Sequence, residues 1–107
     1  MIKKIVQEIN NLNLGITADF GYSTTKDNGI FVSNTFSERL SKHSKGDKLQ
    51  ILIVLSNIND GYLKIRDIAE KIINKMEEIG CIEITHNYIG VYQNRHNYSI
   101  NLRIGGI

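Results

Sequence analysis

Proline and tryptophan are absent from this chain, cysteine occurs once (Cys81), and the aromatic residues are five Tyr and three Phe in 107 positions. Without proline no rigid breakpoint divides the chain, and its length leaves room for one hydrophobic core. The expectation is a single domain over residues 1–107. One cysteine rules out an internal disulfide and a cysteine-based zinc site, and it fits a reducing compartment. Long apolar runs are missing too: no stretch nears the ~18 residues needed to cross a bilayer. The N-terminal MIKKIVQEINNLN is charged and amphipathic where a signal peptide has a continuous apolar core. These absences point to synthesis in the cytoplasm with no membrane partner. Charge of one sign is also lacking, since 13 Lys+Arg stand against 11 Asp+Glu, a net +2. That balance makes no electrostatic footprint for nucleic acid.

What is there reads as an ordinary globular composition, 41% apolar and 22% charged, far from the signature of disorder. Ile2, Ile5, Ile9 and Leu12 form one stripe of a short amphipathic helix, with Gly15 placed for its end. The period then becomes two, Ile16, Ala18, Phe20 and Tyr22 alternating with polar residues, as in a half-buried strand. The turn signal TTKDNG, with Asp27, Asn28 and Gly29, leads into Ile30–Val32 and predicts a β-hairpin. SERLSKHSKGDK (37–48) has no period and the densest charge, so it reads as a long loop. LQILIVLSN (49–57) lacks alternation and reads as the central strand of the sheet.

Tyr62, Ile65, Ile68, Ile72, Met76 and Ile79 define a helix of some five turns ended by Gly80, with Asp67 and Lys71 paired on its outer side. Strands are expected at 81–84, 88–92 and 98–104, with QNRHN (93–97) as the turn between the last two. The fold class is therefore α+β: a mixed, mainly antiparallel sheet of about five strands packed by two amphipathic helices.

Catalytic chemistry is hard to assemble from these residues. SNINDGYLK follows a strand but lacks the glycines of a phosphate-cradling loop, and no G-x-S-x-G is present. Asn59 and Asp60 read instead as caps for the helix that starts near Tyr62. His43, His86 and His96 are isolated in sequence, so no metal-ligand spacing arises. Cys81 beside Ile79 and Ile82 reads as a small buried apolar residue. No enzyme activity, cofactor or metal is expected. Tyr88, Tyr92, Arg95 and Tyr98 offer a second reading, a basic and aromatic sheet surface on which bases stack.

The order of elements resembles the tail-terminator, or tail-completion, proteins of long-tailed bacteriophages and phage-tail-like bacteriocins. The likeness rests on the helix IKKIVQEINNLNL, the extended ITADFGYSTTKDNGIFV, the polar segment, the strand LQILIVLSN, the helix YLKIRDIAEKIINKMEEI and the closing NYSINLRI. It implies a structural protein of the virion or tail-like particle. Such a protein forms a homohexameric ring that caps the tail tube and connects it to the head or neck, assembled in the bacterial host cytoplasm. The implied partners are further copies of the chain, the tube protein and sheath or neck proteins, with DNA only as passing cargo. Interface candidates from their placement in polar segments are Asp27, Phe36, Arg39, Lys42, Lys45 and Arg95. The alternative is a small cytosolic regulatory or nucleic-acid-associated α+β module.

Overall fold

The apolar stripes decide which faces meet. The computed structural model describes residues 2–21, 28–41, 44–56, 60–81 and 83–105; for 2, 34–41, 44–47, 104 and 105 it describes the backbone alone. Two helices, α1 (Ile2–Asn10) and α2 (Gly61–Ile79), and five strands, β1 (Ala18–Phe20), β2 (Gly29–Ser41), β3 (Ser44–Ser56), β4 (Glu83–Tyr92) and β5 (Arg95–Gly105), follow in the order α1-β1-β2-β3-α2-β4-β5. The sheet runs β1-β2-β3-β5-β4, antiparallel except for β1 against β2. The α+β class and the central place of β3 agree with the sequence reading.

Both helices lie on one face. Ile5 and Ile9 of α1 and Ile65, Ala69, Ile72 and Met76 of α2 are buried with Ile30, Val32, Leu49, Ile51, Ile53, Ile100 and Leu102 of the sheet. Burying side chains of this kind contributes about 1.5–3 kcal/mol each before entropy is counted. α1 covers β1 and β2, and α2 covers β3 and β5. Lys75 of α2 joins the two helices through Glu8 at 3.4 Å.

The ends of α2 are set by backbone conformation. Gly80 takes φ 101, and its N–H reaches the carbonyls of Met76 and Glu77 while the Cys81 N–H also reaches Met76, a Schellman closure. At the start the expected side-chain cap is not made. Asp60 sits at φ 64, in the left-handed region, and its carbonyl, not its carboxylate, accepts the Lys64 N–H at 2.9 Å. An N-capping side chain needs extended backbone to aim at the first amides, which the left-handed turn does not provide. Asn59 lies outside the described residues.

Three other expectations are corrected. The segment expected at 16–22, described as far as Gly21, does not make a hairpin with 30–32, and Tyr22 and the turn residues 24–27 lie outside the described residues. β1 is three residues long and parallel to β2, Ala18 opposite Ile30. Its outward edge is closed by the side chain of Asn10, whose Oδ1 accepts the Ala18 N–H at 2.8 Å and whose Nδ2 donates to the Ala18 carbonyl at 3.2 Å. A side-chain amide stands in for a neighbouring strand, and Phe20 is left 49% exposed.

The charged segment 37–48 is strand rather than loop in its described part. β2 and β3 pair from Gly29 opposite Val54 to Ser41 opposite Ser44, with irregularities at Asn34/Phe36 and Arg39/Ser41. Ladder hydrogen bonds hold a strand even where no side-chain alternation marks it. Finally, 81–84 and 88–92 are not separate strands. Glu83–Tyr92 is one strand with a bulge between Tyr88 and Gly90, and Gln93 and Asn94 turn at positive φ into β5. Paired positive φ values give the hairpin turn whose twist suits two antiparallel strands.

Strand length decides the shape. Each of β2 and β3 has 13 residues, roughly 43 Å of strand at about 3.3 Å per residue, whereas the 19 residues of α2 span roughly 28 Å. α2 starts level with the end of β3, because a Cβ on Gly61 would sit 3.2 Å from the Ser56 carbonyl oxygen. The excess of about 15 Å therefore falls at the Ser41–Ser44 end, where the β2–β3 ribbon outruns the helical layer. The long axis of 49 Å, against 23 and 20 Å across, reflects that ribbon.

Candidate functional site

β4 is an outer strand, and α2 lies over β3 and β5 beside it. The helix-facing side chains of β4 are thus left as the floor of a groove walled by the flank of α2. Register assigns that floor: Ile84 opposite Leu102, His86 opposite Ile100, and Tyr88 opposite Tyr98. A cavity of about 310 Å³ opens here, lined by Arg66, Glu70, Ile73, Asn74, His86 and Tyr98. Arg66, Glu70 and Asn74 stand four residues apart along the helix, a donor, an acceptor and an amide in file.

The floor holds two crossed His–Tyr pairs. Tyr98 Oη and His86 Nδ1 share a hydrogen bond of 2.6 Å, and Tyr88 Oη and His96 Nδ1 share one of 2.7 Å. Each tyrosine reaches a histidine on the other strand. His86 is exposed, while His96 is only 6% exposed. His96 lies against the start of α2, where a Cβ on Gly61 would come within 2.8 Å of its ring. Tyr62 meets Tyr88 edge-on at 4.9 Å between centroids, and the Arg66 guanidinium lies 5.7 Å from the Tyr62 ring centroid. These contacts fix the helix flank relative to β4.

Large apolar side chains are exposed around the same end: Tyr62 and Leu63 in the first turn of α2, and Ile89 (40%), Val91 (45%) and Tyr92 (60%) at the end of β4. Among the described residues no strand pairs with β4 along its outer side, over ten residues that include neither lysine nor proline. The opposite side of the sheet has a second open edge. β1 pairs with β2 only at Ile30–Val32, so β2 from Ser33 to Ser41 has no strand on its outer side among the described residues. Such edges invite pairing with another chain unless they are blunted.

The interface candidates named from sequence fall in different places. Asp27 and Lys42 lie outside the described residues. Phe36 and Arg39 are on β2 and Lys45 on β3, with Phe36 opposite Lys48 and Arg39 opposite Lys45 in register. Arg95 is not with them: it starts β5, whose other end, Gly105, is opposite Gly46 near the ribbon tip. Its Nη2 donates to Gln93 Oε1 at 3.1 Å.

The stacking surface of Tyr88, Tyr92, Arg95 and Tyr98 is also divided. Tyr88 and Tyr98 face α2, whereas the bulge inserts one residue and turns Tyr92, opposite Arg95, to the other face. Tyr98 is buried and Tyr88 half-buried, so the rings form no common platform. The groove beside α2 was not legible in the sequence, because it depends on which strand α2 covers. Cys81 is partly buried, and desolvation pushes its thiol pKa up, which disfavours the nucleophilic thiolate. Among the described residues no three His, Cys, Asp or Glu side chains come together as a metal-binding group.

Comparison with known proteins finds no family model and no curated protein sequence that matches the chain.

Proposed function

We propose that this protein is a structural ring subunit of a phage tail or tail-like particle, a tail terminator that caps the tube and joins it to the head or neck. The observation that carries the self-assembly part of this reading is the pair of unlike edges left open among the described residues, β4 on one side of the sheet and the outer edge of β2 beyond Val32 on the other. Two different edges on one chain make a head-to-tail contact, and a head-to-tail contact that closes by rotation is a ring. The ribbon that outruns the helical layer supports the same reading: β5 follows β3 only as far as Gly46, and beyond it, among the described residues, β2 and β3 pair alone, an arrangement that is marginal in water and gains from a neighbour. The tail, the tube and the sixfold count come from the resemblance in element order.

Light scattering on the purified chain at low and high salt tests the assembly. The expected species is six copies of the 12.2 kDa chain, about 73 kDa, at both salt concentrations. Strand pairing and apolar burial resist salt, whereas phosphate contacts weaken steeply with it. A 12.2 kDa species at both would overturn the ring. Salt-sensitive binding of single-stranded nucleic acid by that monomer would favour the small binding module. Addition of purified tail tubes tests the terminator role: the ring should bind tube ends and stop further growth.

A further inference from the structure

We infer that the groove between α2 and the edge of β4 is a strand receptor, and that its occupant is the outer edge of β2, Ser33–Ser41, from a second copy of this chain. The inference rests on the ring reading and assigns which surfaces make the contact.

Three observations converge on this occupant. Geometry comes first. The unpaired side of β4 is flanked by the file Arg66, Glu70 and Asn74 on α2, with the 310 Å³ cavity between them. A chain added to a sheet edge under a helix flank pairs its backbone with the strand and sends alternate side chains into the groove. The floor already has its polar atoms matched inside the chain, through the two His–Tyr hydrogen bonds. An incoming strand therefore meets prearranged rings.

Length is the second observation. Among the described residues the open edge of β2 has nine residues, Ser33–Ser41, and β4 has ten, Glu83–Tyr92. These are the long open edges among the described strands, and pairing one with the other satisfies both ladders. β1, closed by Asn10, marks where the free part of β2 begins.

Charge is the third. SNTFSERLS is neutral overall, with one acid and one base in Glu38 and Arg39; as neighbours in a strand they take opposite faces, and Arg66 and Glu70 of the groove wall offer a counter-charge to either one. The segment as a whole brings no net charge to the edge where Ile89 and Val91 are exposed. A β4 edge pairing with another β4 edge would instead make a twofold dimer and leave the β2 edge open.

Two variants of the full chain separate these cases. Ile89→Lys/Val91→Lys places charges on exposed positions of the receptor, and Ser37→Pro removes a backbone N–H from β2. Circular dichroism and melting establish that each variant folds, with Ser37→Lys as the substitute if the proline does not. At a concentration where the unmodified chain is a ring, each variant alone should run at 12.2 kDa. An equimolar mixture should give a species of about 24 kDa, two chains joined by the one intact pair of edges.

A ring that survives Ile89→Lys/Val91→Lys unchanged would overturn the receptor while leaving the ring reading in place. A dimer formed by Ser37→Pro alone would also overturn it, in favour of twofold β4 pairing. An unmodified chain that stays at 12.2 kDa at every concentration would overturn both the ring and its occupant.

Discussion

His86 and His96 make the same hydrogen bond to a tyrosine in different surroundings, and the difference has a measurable consequence. Removing the Tyr88 hydroxyl leaves Nδ1 of the buried His96 without its tyrosine partner, whereas water can replace the Tyr98 hydroxyl at the exposed His86. Tyr88→Phe should therefore cost about 1–3 kcal/mol in urea unfolding and Tyr98→Phe about 0.5–1.5 kcal/mol. Glycine positions separate backbone strain from packing. Gly80→Ala meets open space but must adopt φ 101, so about 1 kcal/mol is expected. Gly61→Ala drives a Cβ into the His96 ring and should cost about 1–3 kcal/mol as overpacking. Cys81 supplies a chemical check. Burial raises its thiol pKa, so reaction with a thiol reagent at pH 8 should be slower in the folded chain than after denaturation. By linkage, the stability gained from the neutral thiol is full below the ordinary thiol range and is lost as pH rises through the raised value.

At the scale of elements, α2 shows how little surface pairing matters beside burial. Ile72 is fully buried among strand side chains, and Ile72→Ala should cost about 2–5 kcal/mol. The Lys71–Asp67 pair is bridged at 3.1 Å but exposed on both sides, so Lys71→Ala should change stability by less than about 0.5 kcal/mol. Chemical denaturation of both variants provides the comparison. The period that named this helix was legible because every buried position lies on one stripe and Gly80 ends it. The ribbon was illegible for the opposite reason. Its residues 37–48 carry no alternation, and backbone ladder hydrogen bonds, which pair β2 with β3 in the described part, leave no side-chain period to read. At β4 the bulge after Tyr88 reverses the parity of the strand, so Tyr88 and Tyr92, four residues apart, point to opposite faces.

At the scale of the whole molecule, stability and assembly should be one quantity if the edges are used. A ring makes the melting temperature rise with protein concentration, because association stabilises only the folded chain. Differential scanning calorimetry over a tenfold range of concentration should show that rise for the unmodified chain and no rise for Ile89→Lys/Val91→Lys. An unmodified chain with a constant melting temperature would count against assembly.

The residues by themselves determined the class of fold, the helix at 62–79 with its glycine stop, the central strand and the final hairpin, because each is marked by local periodicity or by turn chemistry. Tertiary structure alone decided that β1 runs parallel to β2 under the Asn10 amide, that α2 covers β5 and not β4, and that His96 and Tyr88 meet. Those outcomes depend on which distant segments share an edge or a face, and no local spacing encodes that choice.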